Sequence, residues 1–297
     1  MLRPYQGEER EYTVEVNPRS ITVEKAGLLR ESRVTRASFG AQSFNSGALE
    51  MLGRRHRGDD IGRAYKLLKD KIPSVSLDLI FALPGETLRD WQSDLTLALA
   101  LEPDHLSIYS LIYEAGTPIT RRVLRGELSP VSEELEREMF LHAIRRLVFA
   151  GYEHYEVSSY SKPGHRSVHN QGYWNQSDYI GLGPGACSTL GNRRYTNVPD
   201  LEKYVRGLKE EGLPPREEER LSETEKMNEF ILLRLRTSDG LRPSEFLRRW
   251  GDDFFTLCGG KLESLAAQGL IRAEDDCVRL TLEGLCVADR VISELLQ

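Results

Sequence analysis

Cysteine motifs are missing from this 297-residue chain. Its four cysteines, Cys187, Cys258, Cys277 and Cys286, form no CxxC pair and no CxxxCxxC triplet. A disulfide framework does not suit a chain of this size without an export signal, so four reduced, mostly buried thiols are expected. Long apolar runs are missing too. Leu95–Leu101 and Ile231–Leu235 fall far short of the roughly 20 residues that span a bilayer. The N-terminal MLRPYQGEEREY has no apolar segment of the kind found in a signal peptide or anchor. The expectation is a cytoplasmic protein with no membrane-spanning segment. Excess positive charge is also lacking: 40 Lys and Arg against 46 Asp and Glu give a net charge of −6. No global field draws such a chain to nucleic acid or to an anionic membrane. With 39% hydrophobic and 29% charged residues, disorder is excluded as well.

Four β-like runs occupy the first third: Tyr12–Val16, Val34–Phe39, Val75–Ile80 and His105–Tyr109. Between them lie helix-like segments at Val23–Arg30, Gly47–Leu52, Asp60–Lys69 and Thr87–Leu101, the last with Thr87 as N-cap. Strands alternating with helices predict an α/β fold with a parallel sheet. In such sheets ligands sit at the carboxyl ends of the strands. The polar residues Glu15, Gln42 and Asp78 fall at or near three successive strand ends, and Pro84-Gly85 closes the turn after the third.

Ser132–Ala150 reads as a long helix and His154–Ser158 as a short strand. Lys162–Gly191 is glycine-rich with several aromatics and reads as a functional loop. GLKEEGLPPREEER reads as a charged linker. Beyond it come helices at Ser222–Arg236, Pro243–Trp250 and Phe254–Gln268, a hairpin around Glu274-Asp275-Asp276, and a final helix. Ser222 and Glu225 form a capping box. Three helices and a β-wing are a winged-helix pattern. Arg242, Arg248 and Arg249 are offset by nearby acids, so an interaction role is favoured over DNA binding.

Three groups of residues could carry chemistry. Glu15, Gln42, Arg54 and Asp78 would suit a ligand with an amino acid and a nucleoside, since a guanidinium forks onto a carboxylate and acids take ribose hydroxyls. Ion pairs around a turn explain the same residue types. In HNQGYW, His169 could ligate a metal or heme iron, and Tyr173 and Trp174 could offer flat faces to a macrocycle. A hydrogen-bonded structural histidine is the competing reading. Gly181-Leu-Gly183-Pro-Gly185 resembles a phosphate cradle only loosely, and a tight turn explains it equally well.

Read in order, TVEVNP, FGAQSFN, LGRRH, LDLIFALPGET, HLSIYSLIYEAGT, GYEHYEVSSYSKPG, HNQGYW and YIGLGPGA resemble the HemW-type heme chaperones. These are radical S-adenosylmethionine (SAM) proteins related to oxygen-independent coproporphyrinogen III oxidase. The resemblance runs from about Glu11 to the end of the chain. It implies a partial (β/α) barrel of radical SAM type over residues 1–125, a central extension with the heme motif over 126–215, and a winged-helix-like α+β domain over 216–297. It implies that Arg54 takes the methionyl carboxylate of SAM, while Glu15, Gln42 and Asp78 take its amino group and ribose hydroxyls. It matches His169 to the histidine of a heme-associated HNxxYW motif. The implied function is reversible heme binding and transfer to acceptor proteins such as respiratory enzymes.

The chain departs from the family in one respect. The CxxxCxxC loop that binds a [4Fe–4S] cluster, and the GGGTP motif after it, have no counterpart here. Without those thiolates a cluster has no ligands and SAM cleavage no electron source, so the expectation is a chaperone-like protein without radical catalysis. Four of about six barrel strands are expected, with an open first strand that invites pairing and a homodimer. This pattern reads as a truncated frame or a natural split protein. A coproporphyrinogen III oxidase-like enzyme and a non-catalytic interaction module are the alternatives.

Overall fold

The computed structural model describes residues 11–274 and 276–297. The N-terminal stretch read for a signal peptide, through residue 10, and Asp275 of the expected hairpin lie outside the described residues. The chain forms two compact units, one ending at Ser167 and the other spanning Val168–Gln297.

Unit 1 opens with four βα repeats. These are β1 (Thr13–Val16), α1 (Val23–Glu31), β2 (Arg36–Gln42), α2 (Ser46–Met51), α3 (Gly58–Lys69), β3 (Ser74–Phe81), α4 (Leu88–Ala100) and β4 (His105–Ser110). Helices α5 (Pro118–Leu124) and α6 (Glu133–Phe149) follow, then the short strands β5 (Glu153–Glu156) and β6 (Ser159–Ser161). The sheet order is β1-β2-β3-β4-β6-β5. The first four strands are parallel, and β6 and β5 add antiparallel. This is a partial (β/α) barrel, with β1 at its edge among the described residues.

Local chemistry explains the element ends. Thr87 accepts from the Asp90 amide, and Asp90 reaches back to the Thr87 amide, so α4 starts with a full capping box. Ser132 caps α6 by accepting from the Leu135 amide, without the reciprocal bond. Asp104, just before β4, takes Lys69 of α3 at 2.6 Å and the Val75 amide of β3 at 2.9 Å. One buried carboxylate thereby aligns a helix with two strands.

The two faces of this sheet differ. Ala37, Phe39, Val75, Leu77, Leu79, Leu106 and Ile108 point to one face and are covered by the helices. Trp91 of α4 is fully buried there and donates to the Met139 carbonyl of α6 at 3.0 Å. The alternate residues, Arg36, Ser38, Ser76, Asp78, His105 and Ser107, are all polar. Strict alternation is unusual for parallel strands, which normally read apolar on both faces.

Unit 2 contains α7 (Val168–Trp174), β7 (Cys187–Leu190), β8 (Arg193–Asn197), α8 (Leu201–Glu210) and β9 (Arg216–Arg220). Strands β7, β8 and β9 form an antiparallel sheet. After it come α9 (Glu223–Leu235), α10 (Pro243–Trp250), α11 (Phe254–Ala267), β10 (Ile271–Glu274), β11 (Cys277–Leu280), α12 (Leu282–Cys286) and α13 (Ala288–Leu295). Their core gathers Phe230, Phe246, Phe254, Leu265 and Val291 under the β10–β11 wing, as expected of a winged helix. Arg249 of α10 pairs with Glu245 at 2.7 Å and lies over the Phe230 ring at 4.6 Å. Among the described residues no helix is long and apolar enough to cross a membrane.

Met139, Ala143 and Leu147 of α6 bury into the same core as the parallel strands, and the first unit runs on to Ser167. Two expectations need correcting. The stretch read as a charged linker is ordered: Gly207 of α8 packs so closely on Pro215 that any side chain would clash. The acids that follow belong to strand β9, whose Glu219 and Glu217 pair in register with Arg194 and Thr196 of β8. Charge on both faces reads as a linker but also suits an exposed strand. Finally, the HNQGYW motif lies in helix α7 rather than in an irregular loop.

Candidate functional site

The unit 1 cluster forms around the carboxyl end of β2. A bulge at Gly40 and Gln42 interrupts the β2–β3 register, and Gln42 adopts the left-handed conformation at φ 62°. With its side-chain amide assigned in the orientation that satisfies both neighbours, its nitrogen donates to the Asp78 carbonyl at 3.2 Å and its oxygen accepts from Nη2 of Arg54 at 3.2 Å. Gly40 leaves room for this, because a side chain there would meet the Gln42 amide.

The loop after Gln42 is held from below. Asp94 of α4, 3% exposed, accepts from the Ser43 hydroxyl at 2.5 Å and the Phe44 amide at 3.0 Å. The Ser43 hydroxyl accepts from the Asn45 amide, and buried His56 bonds the Ala41 carbonyl at 3.0 Å. Burial pushes the Asp94 carboxyl up, and its bonds to Ser43 and Phe44 partly offset this. Sequence reasoning missed Asp94 and His56. An aspartate at an otherwise apolar helix position was the available signal for the first.

Asp78 faces the polar side of the sheet, where Ser38 donates to both of its carboxyl oxygens at 3.2 and 3.3 Å. Burial is the largest influence and raises its pKa; hydrogen bonds from Ser107 and Ser38 and the field of Arg36 lower it, and the negative field of Glu15 raises it. Glu15 stands beside Ser38 in the β1–β2 register and is exposed. Arg54 is exposed too and lines an open cavity of about 550 Å³ with Asn17, Arg19 and Arg55. The structure therefore brings Gln42 into contact with Arg54 and with the main chain of Asp78, and sets Glu15 near the Asp78 carboxyl. The competing reading, ion pairs of Arg54 with Glu15 or Asp78, finds no such pair among the described residues; Arg54 meets the neutral Gln42 amide instead. One guanidinium stays open for a carboxylate, with acids on the adjoining strands for hydroxyl or ammonium groups.

The second group is in unit 2. His169 and Tyr173 are four residues apart, so α7 turns them to one face. Their rings meet edge to face at 4.7 Å, and Tyr173 meets Tyr179 in the same way at 4.8 Å. His169 and Tyr173 are both exposed. Burial raises the Tyr173 hydroxyl pKa, with Tyr179 and Cys187 adding to it. Trp174 is half-buried and makes no ring contact among the described residues. The aromatic partner of the pair is Tyr179, which sequence reasoning did not single out, because it lies outside the motif. The glycine segment next to it is a tight turn: Asn197 donates to the Gly183 carbonyl at 3.0 Å, and the Gly183 amide donates to the Tyr204 hydroxyl at 3.1 Å.

Residues 2–98 match the radical SAM superfamily, and residues 221–287 match the HemN C-terminal domain. The heme chaperone HemW of Bacillus subtilis strain 168 is 33% identical over 287 residues, covering 96% of this chain and 76% of that protein. HemW of Mycobacterium tuberculosis H37Rv is 33% identical over 97% of this chain and 72% of its own length. The mouse mitochondrial radical S-adenosyl methionine domain-containing protein 1 is 32% identical over 97% of this chain and 68% of its own. Among solved structures, the radical SAM enzyme coproporphyrinogen III oxidase (HemN) from Escherichia coli shares the fold, with a TM-score of 0.80 at 20% identity over 97% of this chain and 70% of that one. With a third of its residues shared across nearly its whole length, the chain belongs to the HemW family of heme chaperones, within the radical SAM superfamily.

Proposed function

We propose that this chain captures heme reversibly through His169 and delivers it to heme-accepting proteins. The observation that carries the reading is the His169–Tyr173–Tyr179 series, with His169 and Tyr173 exposed on α7 and Tyr179 half-buried in the segment that follows. An exposed imidazole reaches iron without first being desolvated, and a neutral ring nitrogen is a good heme ligand. Tyr173 meets the imidazole edge to face, Tyr179 backs Tyr173, and the rings offer apolar surface to a macrocycle. Val168 and Ile180, beside them in sequence, are 61% and 65% exposed, as suits a surface that a ligand covers. A site this open favours release as much as capture.

Under the same proposal, the unit 1 cluster holds the amino acid and ribose ends of SAM. The residues fit: Arg54 is exposed to a carboxylate, Gln42 touches it, and Asp78 and Glu15 lie on the adjoining strands. A [4Fe–4S] cluster is different. The four cysteines all lie in unit 2, and among the described residues no three metal-ligating side chains are grouped to hold a metal. This chain's residues do not fit a cluster, and no radical step is assigned to it.

The test is an anaerobic heme titration followed by absorption spectroscopy. The His169→Ala variant is expected to lose at least about tenfold in affinity, with a changed Soret band and an unchanged far-ultraviolet spectrum. An unaltered titration would remove His169 from the site. A parallel calorimetric titration of SAM with Arg54→Met tests the unit 1 assignment separately.

A further inference from the structure

In closed βα barrels the inward layers are filled by branched apolar side chains, which makes the interior a packed core. The inward layers of unit 1 are polar. Strand pairing sets Ser38, Ser76 and His105 side by side, with Asp78 and Ser107 one layer nearer the carboxyl ends. Arg36 stands one layer nearer the amino ends, directly beside Thr13 of β1.

Arg36 is only 4% exposed. No hydrogen bond or ion pair to it occurs among the described residues, and its Nη1 is buried and unsatisfied. The Thr13 hydroxyl next to it is also buried, with no partner among the described residues. A guanidinium stays charged even when buried, and an unpaired buried charge is among the costliest groups a fold can hold. Water would satisfy the N–H groups, and the field of Asp78 reaches the guanidinium, but Asp78 makes no direct pair with it. The neighbouring polar groups are committed elsewhere. Asp78 is held by Ser38, and the two ring nitrogens of His105 bond Ser76 at 2.9 Å and Tyr155 at 2.7 Å.

We propose that Arg36 anchors an anion site on this face, with Thr13 as a second donor, and that its ligand presents a carboxylate. The planar fork of a guanidinium matches a carboxylate in bidentate geometry. A single cation also matches a monoanion, whereas a phosphate dianion would need further positive groups. The carboxylate belongs either to a free small acid or to one arm of a larger ligand such as a porphyrin. The site does not depend on His169 or on heme capture.

The experiment is thermal unfolding of the full chain, titrated with sodium formate against sodium chloride at constant ionic strength. Formate is expected to raise the wild-type Tm saturably by about 2 °C or more, with no such rise in chloride. Arg36→Met should melt above the wild type without formate and lose the response; Arg36→Lys should keep only part of it. No formate-specific shift in the wild type, or an equal shift in Arg36→Met, would overturn the proposal. If Arg36→Met fails to fold, the linewidth of ¹³C-formate with the wild type decides: broadening reversed by excess acetate supports the site, and an unbroadened line overturns it. Protoporphyrin IX and its dimethyl ester identify the source. Competition by the free acid alone assigns the carboxylate to a porphyrin, and formate binding indifferent to both assigns it to a small acid. A failed heme titration in His169→Ala would leave these results standing.

Discussion

In unit 1 the candidate ligand residues are held by buried groups, whereas in unit 2 they stand exposed on a seven-residue helix. Gln42 reaches Asp78 and Arg54 because Asp94 and His56, both buried, fasten the backbone on either side of it. His169 is oriented by the edges of surface aromatic rings. The first arrangement has met its ordering cost during folding and suits a small ligand held in one pose. The second is open and suits a large, flat ligand that must leave again.

The largest effect that would break this comparison is expected at Asp94. Asp94→Ala leaves the Ser43 hydroxyl and the Phe44 amide without their acceptor, at a cost of about 2–3 kcal/mol. Urea unfolding should show that loss, and SAM affinity should fall with it. By contrast, His169→Ala should move stability by no more than about 0.5 kcal/mol. If the two variants were equally stable, the buried clamp would not distinguish the sites.

A smaller effect concerns Glu86, half-buried in the turn before α4, where it accepts from the Leu83 amide at 3.0 Å. Burial pushes its pKa up to about 7 from an ordinary 4.5. The native state therefore binds the proton more tightly than the unfolded chain. This group's contribution is fully present below about pH 4.5 and is lost as pH rises through about 7. Glu86→Gln should flatten the decline in stability between those values and raise the Tm at pH 8. An unchanged pH profile would place the titrating group elsewhere.

The smallest effect on stability, and the sharpest probe of the site, is Gly40→Ala. The new methyl meets the movable end of Gln42 rather than backbone, so folding should lose less than about 1 kcal/mol. The displaced amide should nonetheless weaken SAM binding severalfold by calorimetry. Equal affinity would show that Gln42 has no part in the site.

Much of this was legible in the residues. Short β-like runs located all four parallel strands within a few residues, and Thr87 and Ser222 marked helix starts by capping chemistry. Helix α7 was not legible, because glycine and aromatic residues dilute its pattern. Strand β9 was hidden for another reason: its acids carry no alternation, and only pairing with the arginines of β8 makes them a strand.

The sequence by itself determined the fold class, the family and the residues worth testing, because local periodicity, caps and ordered motifs depend on near neighbours in the chain. Only the tertiary structure decided that Gln42 touches both Arg54 and the main chain of Asp78, that Asp94 holds the loop beneath it, that Tyr179 completes the His169 cluster, and that Arg36 lies buried with no hydrogen bond among the described residues. Each of these is a contact between strands, helices or loops brought together by folding. Such contacts depend on strand register and burial, which leave no periodic trace in the chain.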